Sequence, residues 1–279
     1  MTATPAELLA FYERKTQAIL RRYGPGPRVH YHTGLLEEEH AADAGADRLR
    51  ELLVLSQEHL LQHAARIWRF DTLAGREVLD VGCGLGGTSL FLAQKFGARV
   101  TALTIVPSHA ELVGQFAAQA GVSDLVRPII DDALEIPEEN RFDAAIAIDS
   151  SSSFPRAPWF RRLSTVLRPK SRVLIADCFL MDRRYEEPFN AHWCAQIGTL
   201  NEYLDAAHAA GFREDLIEDL SKHAARFWSL SLAQMHAETE ASAPGTVSSV
   251  RMKASRRMHA LVRDGLAGGD LRYMLLAFS

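Results

Sequence analysis

Apolar residues recur at helical spacing across residues 5–23, where Leu8, Leu9, Phe11, Tyr12, Ile19 and Leu20 fall near one face. Thr4-Pro5 opens this helix and the run Gly24-Pro25-Gly26-Pro27 closes it. Arg28 to Gly34 follows as a loop or short extended piece. Leu49, Leu52, Leu53, His59, Leu60 and Ile67 predict a second helix over about 45–70. From Glu77 the period changes. Short apolar runs (EVLDVG, RVTALTI, VRPIIDD, FDAAIAID, SRVLIADCF) alternate with helical segments such as SLFLAQKF and HAELVGQFAAQAG. Such alternation predicts an α/β fold: crossover units on a parallel sheet covered on both faces. A looser helical region spans about 182–240, and LRYMLLAFS reads as a closing strand. The plan is a helical cap over 1–70, a core over 71–181, and a helical lid with closing strands over 182–279. The lid is expected above the carboxyl ends of the strands.

Composition narrows the class. The chain has 279 residues, 47% hydrophobic and 24% charged, with a net charge of −4. That is a globular profile, and it offers no bulk electrostatic case for nucleic acid or an anionic membrane. The N-terminal stretch carries charges inside its short apolar run, so it reads as neither signal peptide nor anchor. No apolar run approaches the roughly 20 residues of a membrane span. Cys83, Cys178 and Cys194 are scattered without CxxC spacing, which predicts a cytoplasmic location and no cysteine metal site.

The strongest chemical signal is Asp80-Val-Gly82-Cys-Gly84-Leu-Gly86-Gly87, a buried strand running into glycines with a helix just beyond. Gly82, Gly84 and Gly87 fit the spacing of dinucleotide sites. Asp80 would oppose a pyrophosphate there, and the second strand ends in Thr104 where a dinucleotide site wants an acid. A cationic ligand suits Asp80 better, and S-adenosylmethionine carries a sulfonium and an ammonium.

At this point the chain resembles the class I S-adenosylmethionine-dependent methyltransferases over about residues 76–180. VLDVGCGLGG matches their first motif, Asp131-Asp132-Ala133 followed by Pro137 the acid after the third strand, and Phe142 to Asp149 the fourth motif. In WFRRLSTVLRPKSRVLIAD, Lys170-Ser171 replaces the usual paired glycines. The resemblance implies a Rossmann-like seven-stranded sheet holding S-adenosyl-L-methionine through Asp80, Gly82, Gly84, Gly86, Thr104, Asp132, Ala133 and Asp149. Asp132 would bond the adenine amino group, and Ala133 would let the ring approach. Thr104 looks like the threonine variant seen in geranyl diphosphate C-methyltransferases and cyclopropane fatty-acid synthases.

The flanks extend the likeness toward the prenyl diphosphate C-methyltransferases. His30-Tyr31-His32-Thr33-Gly34 is similar to their histidine-tyrosine-glycine loop. Asp219-Leu220 before Phe227-Trp228, and Arg263 to Gly265 before Arg272, look like their cap and ending. The expected reaction adds a methyl to an alkene carbon of an isopentenyl- or geranyl-type diphosphate, through a carbocation that then loses a proton. Aromatic faces stabilise such a cation by roughly 1–2 kcal/mol each when desolvated, and Tyr31, Phe154, Trp159, Trp193, Phe227 and Trp228 are on offer. The catalytic candidates are Tyr31, His32, Asp149 and Ser150, with His30 a further possible base. Phe154, Trp193 and Trp228 are expected at the substrate, with Arg28, His30 and Arg156 at its diphosphate and Mg²⁺ bridging the phosphates. Arg183 and the four serines from Ser150 are further phosphate candidates. Glu37-Glu38-Glu39 reads as a solvated helix start, and His109, His192, His208, His223, His236 and His259 mostly as helix-surface residues.

Two other readings stand beside this one. An O- or N-methyltransferase of a small metabolite would use His30 or His32 as a base. A cofactor-binding protein without transfer activity would leave the acceptor machinery idle. A homo-oligomer is compatible with the amphipathic first helix and its Gly/Pro hinge.

Overall fold

The computed structural model describes residues 4–37, 45–137, 139–240 and 247–279. Helix α1 (Pro5–Tyr23) begins at a reciprocal cap: the Glu7 N–H donates to the Thr4 hydroxyl and the Thr4 N–H to the Glu7 carboxylate. Helix α2 (Ala46–Ile67) stops short of its expected end because Arg69 takes a left-handed φ of 57° and a short 3₁₀ turn follows. Glu38 and Glu39 lie outside the described residues.

The sheet has seven strands: β1 (Glu77–Val81), β2 (Arg99–Thr104), β3 (Val126–Ile130), β4 (Phe142–Ile148), β5 (Leu167–Leu180), β6 (Glu214–Asp219) and β7 (Leu271–Phe278). Their order is β3-β2-β1-β4-β5-β7-β6, with β7 antiparallel to both neighbours. β6 lies inside the stretch that periodicity reads as helical. Its sequence, EDLIED, has only two apolar residues because it is an edge strand with its flanks exposed. By contrast β1 and β4 are nearly continuous apolar runs, as strands covered on both faces must be.

Helices α3 (Gly87–Phe96), α4 (Pro107–Gln119), α5 (Arg156–Val166) and α7 (Leu200–Ala209) flank the sheet. On one face Trp159, Phe160, Tyr203 and Phe212 pack with Phe142 and Phe278. On the other, Trp68 and Phe70 join Leu60, Leu61 and Ala224. Helices α6 (Glu186–Trp193), α8 (Ser221–Glu240) and α9 (Val247–Gly268) join α1 in covering the carboxyl ends of the strands, while α2 packs on a face of the sheet. Among the described residues no helix is long and apolar enough to cross a membrane.

Lys170 occupies β5 with a φ of 67° and an exposed side chain. A left-handed L-residue costs roughly 1–2 kcal/mol that glycine avoids. Lys170→Gly is therefore expected to stabilise the protein by about 1 kcal/mol, read as a higher midpoint in urea unfolding. A lower midpoint would show that the lysine side chain contributes more than its backbone strain costs.

Candidate cofactor and acceptor site

The strand order reverses between β1 and β4, and a crevice opens at their carboxyl ends. β1 delivers Asp80 into it, 2% exposed, and Ser89 on α3 donates to its Oδ2 at 2.5 Å. No cationic side chain pairs with Asp80 among the described residues, and burial pushes its carboxyl up to about 6. Gly82 follows with a φ of 74°, and a Cβ there would lie 2.7 Å from the Ser150 Cβ. Only glycine lets the ends of β1 and β4 approach this closely. Gly87 makes room in the same way for His30, whose Nδ1 would lie 2.5 Å from an added Cβ.

The resulting cavity encloses about 920 Å³ of non-atom space, part of it open to solvent. Asp80, Gly82, Gly84, Thr104, Ala133, Asp149 and Ser150 line it, together with His30, Tyr31, His32 and Phe154. Two residues sit elsewhere. Gly86 is the N-cap of α3 with a φ of 80°, off the cavity wall. Asp132 turns its Oδ1 to the Leu134 N–H at 2.8 Å, and Asp131 takes the place on the wall. The Thr104 hydroxyl is also engaged, accepting from the Val106 N–H at 3.1 Å.

These residues fit S-adenosylmethionine. A buried carboxylate without a cationic partner suits the ligand's ammonium and sulfonium, and Gly84 has nothing within 4 Å of an added Cβ. His30 Nδ1 and His32 Nε2 are buried with no hydrogen-bond partner among the described residues.

A second chamber shares Tyr12, Tyr31, His32, Asp149 and Ser153 with the first. It holds about 760 Å³ of non-atom space, and Tyr23, Phe189, Trp193, Phe227 and Trp228 give it an aromatic wall. Trp193 and Trp228 meet edge to face at 5.8 Å. Asp149 stands where the two spaces join. The Thr33 N–H donates to its Oδ2 at 2.5 Å and the Tyr273 hydroxyl to its Oδ1 at 2.8 Å. Burial, reinforced by the nearby Asp177 charge, pushes the Asp149 carboxyl up to about 7. Tyr31 is pushed up to about 12 by burial and stays a phenol. Burial, with His30 adding to it, drives His32 down to about 3, so its imidazole is neutral.

The cations expected at a diphosphate are committed outside both spaces. Arg28 pairs with Glu58 at 2.9 Å, and Glu58 also bonds His30 Nε2 at 3.0 Å. Arg156 donates to the Gln196 carbonyl at 2.6 Å and pairs with Glu202 at 3.0 Å. Arg183 bridges Glu186 and Glu202. The serines serve the fold too: Ser150 donates to the Val81 carbonyl at 2.6 Å and Ser151 to Asp177 at 2.6 Å. Trp159 is fully buried in the sheet core and lines neither space. His109 and His259 are buried rather than on a helix surface, bonded to Thr16 and Ser231.

Sequence reasoning missed Asp177, Tyr12, Tyr23, Phe189 and the Tyr273 contact. Asp177 had a readable signal, an acid inside the apolar run VLIADCFL. The aromatics had none, because ordinary helix cores use the same residues at the same spacing.

Residues 78–170 match the family of methyltransferase domains. A geranyl diphosphate 2-C-methyltransferase of Streptomyces lasalocidi is 29% identical over 82% of this chain and 81% of its own length. The tocopherol O-methyltransferase of Arabidopsis thaliana is 24% identical over 71% of this chain and 62% of its own. A rice relative named "Probable tocopherol O-methyltransferase, chloroplastic" is 28% identical over 55% of this chain, which spans 46% of that protein. Among solved structures, a geranyl diphosphate methyltransferase in complex with geranyl diphosphate and sinefungin superimposes with a TM-score of 0.81, at 22% identity and 98% coverage of both chains. The cyclopropane synthase MmaA2 from Mycobacterium tuberculosis gives 0.80 at 17% identity, covering 100% of this chain and 99% of its own. The fold is that of solved methyltransferases, and about a third of the chain matches a methyltransferase domain. Its similarity reaches a geranyl diphosphate C-methyltransferase over most of the chain.

Asp80→Asn separates binding from stability. A raised folded-state pKa gives stability that is fully present below the unfolded value of 3.8 and lost as pH rises through about 6. At pH 7.5 the variant is expected to gain on the order of 1–3 kcal/mol in the cofactor-free protein and to lose S-adenosylmethionine affinity about tenfold or more. Wild-type affinity should fall as pH drops through about 6. Calorimetric titration and thermal melts read both signs, and unchanged affinity would remove Asp80 from the site.

Proposed function

We propose that the protein is an S-adenosylmethionine-dependent C-methyltransferase that adds a methyl to an alkene carbon of a prenyl-type acceptor, through a carbocation followed by proton loss. The carrying observation is the aromatic chamber that meets the cofactor cavity at Asp149. The relatives that act on geranyl diphosphate support the isoprenoid class. Isopentenyl- and geranyl-type chains are the expected acceptors.

Bound S-adenosylmethionine supplies an electrophilic methyl on a positively charged sulfur. The acceptor's π pair would form the new carbon–carbon bond to that methyl, the carbon–sulfur pair staying on the departing sulfur. Charge then develops on the adjacent carbon, facing Trp193, Trp228 and Tyr31. Helices α1, α6, α8 and α9 keep water from that cation. The Asp149 carboxylate takes one proton, and the freed C–H pair closes a new double bond. Thr33 and Tyr273 take part of the carboxylate's accepting capacity, and the remaining lone pairs serve the transfer. His32, with a buried and unpartnered Nε2, favours a second reading as the base for O-methylation.

Asp149→Asn keeps a side chain that tolerates the φ of 48° at this position. It is expected to lower transfer by roughly 10²–10⁴-fold. Wild-type turnover should rise with pH through about 7 as the carboxylate forms. The assay is methyl-labelled S-adenosylmethionine with isopentenyl, dimethylallyl, geranyl and farnesyl diphosphates, their alcohols, and simple phenols. A carbon-methylated prenyl product supports the reading. Label on phenol oxygen alone would replace it with the O-methyltransferase, and bound cofactor with no transfer would point to the non-catalytic reading.

A further inference from the structure

We propose that the acceptor enters this chamber as an uncharged isoprenoid carrying a hydroxyl, held by the bare Nε2 of His32, rather than as a diphosphate. The inference rests on the prenyl reading above and fixes the chemistry of the acceptor's polar end.

Hydrogen-bond direction carries it. His32 Nδ1 lies 2.8 Å from the Thr33 carbonyl oxygen, which can only accept, so Nδ1 carries the ring proton. The imidazole is neutral, so Nε2 has a lone pair and no hydrogen. That nitrogen is buried, unpartnered among the described residues, and belongs to a side chain lining both spaces. A hydroxyl can donate to it. A diphosphate at neutral pH offers oxygen lone pairs instead and would leave the site's acceptor facing another acceptor.

Charge points the same way. The described chamber lining holds no lysine or arginine but includes the acids Asp149 and Asp177. Burial already pushes both carboxyls up, and Asp177 adds to the pressure on Asp149. The chamber's other histidine, His259, is driven down by burial and then by Arg22, His192 and Lys15. Its Nδ1 bonds Ser231 at 3.0 Å. Arg22 acts on Tyr23, Tyr31 and His259 from outside the lining, with its Nη2 donating to the Ser231 carbonyl and hydroxyl at 2.9 Å each. Lys15 also stands outside the lining, its Nζ 4.2 Å over the Phe11 ring. Two cations held there, with the buried Arg22 Nε left unpartnered among the described residues, do not offset a desolvated diphosphate.

Nor does the donor set fit a bridging Mg²⁺. Among the described residues no group of three or more His, Cys, Asp or Glu side chains could hold a metal ion. Asp177 is occupied by Ser151, the Ser152 N–H and the Cys178 N–H, which leaves Asp149, with part of its accepting capacity taken by Thr33 and Tyr273, as the one carboxylate of the described lining still open. A solved neighbour at 19% identity is in complex with Mg²⁺ and geranyl diphosphate, the pair for which this lining offers no cluster of three ligating side chains among the described residues.

The test is fluorescence titration of the protein saturated with S-adenosylhomocysteine, read through Trp193 and Trp228 in the chamber wall. The probes are geraniol and farnesol, their methyl ethers and their diphosphates, with and without Mg²⁺. The alcohols should bind about tenfold or more tighter than the diphosphates and about fivefold or more tighter than the ethers. His32→Phe should remove the alcohol-over-ether preference while ether binding persists, which reports a folded chamber. Diphosphates binding within about tenfold of the alcohols, or an alcohol preference that survives His32→Phe, overturns this proposal and leaves the prenyl reading standing. If no prenyl compound binds, the prenyl reading fails and this proposal fails with it.

Discussion

The Asp149 carboxylate ties together the parts that make the site. It sits at the end of β4, takes the Thr33 N–H from the segment between α1 and α2, and takes the Tyr273 hydroxyl from β7. Those two donors lie 116 and 124 residues from it in sequence. The Thr33 bond, together with the packing of Val29 against Leu85, Leu90 and Ala102, fixes the segment bearing His30, Tyr31 and His32 to the sheet. The bonds also offset part of the cost of burying the carboxyl, which burial still raises. A second tie supports the first: Gln57 on α2 donates to the His32 carbonyl at 2.7 Å.

Around this anchor the protein separates charge from reacting space. Arginines at the rim are matched with Glu58, Glu202 and Glu186, while the interior keeps two acids, neutral imidazoles and phenols. Asp80 and Asp149 are both ionisable groups held against their preference by burial. Each is relieved by what the proposed reaction brings: a cationic cofactor beside Asp80, and a carbocation followed by a proton beside Asp149. On the proposed reading, the cost of the empty site's buried carboxyls would favour ligands that bring positive charge.

The sheet was legible in the sequence because each buried strand is an apolar run and each crossover a helical period. The glycine loop was legible because Gly82 and Gly87 are required by close approach, a constraint that leaves glycine in the chain. Asp80 could be chosen over a pyrophosphate site by charge alone. The edge strand β6 was not legible, since exposure removes the apolar pattern that marks a strand. The fate of the arginines was hidden for another reason. Arg28 and Arg156 are loop-proximal in sequence, but their partners Glu58 and Glu202 lie 30 and 46 residues away, and pairing at that range depends on tertiary placement. Asp131 and Asp132 are adjacent acids, and only the turn at Leu134 decides which faces the cavity.

The division of labour explains how one fold serves different chemistries. The cofactor wall comes mainly from β1, β2, β4 and the loops after them, whereas the acceptor wall comes from α1, α6, α8 and α9. A fold neighbour named as a [4+2]-cyclase superimposes with a TM-score of 0.77, so the sheet alone does not dictate methyl transfer. The acceptor side is defined by the side chains that the helices and the segment between α1 and α2 bring over Asp149. They are aromatic, nearly uncharged, and include one histidine whose free nitrogen can only accept. On the proposed reading, that combination would favour acceptors with an electron-rich carbon framework and a single donor over groups whose solvation depends on cations.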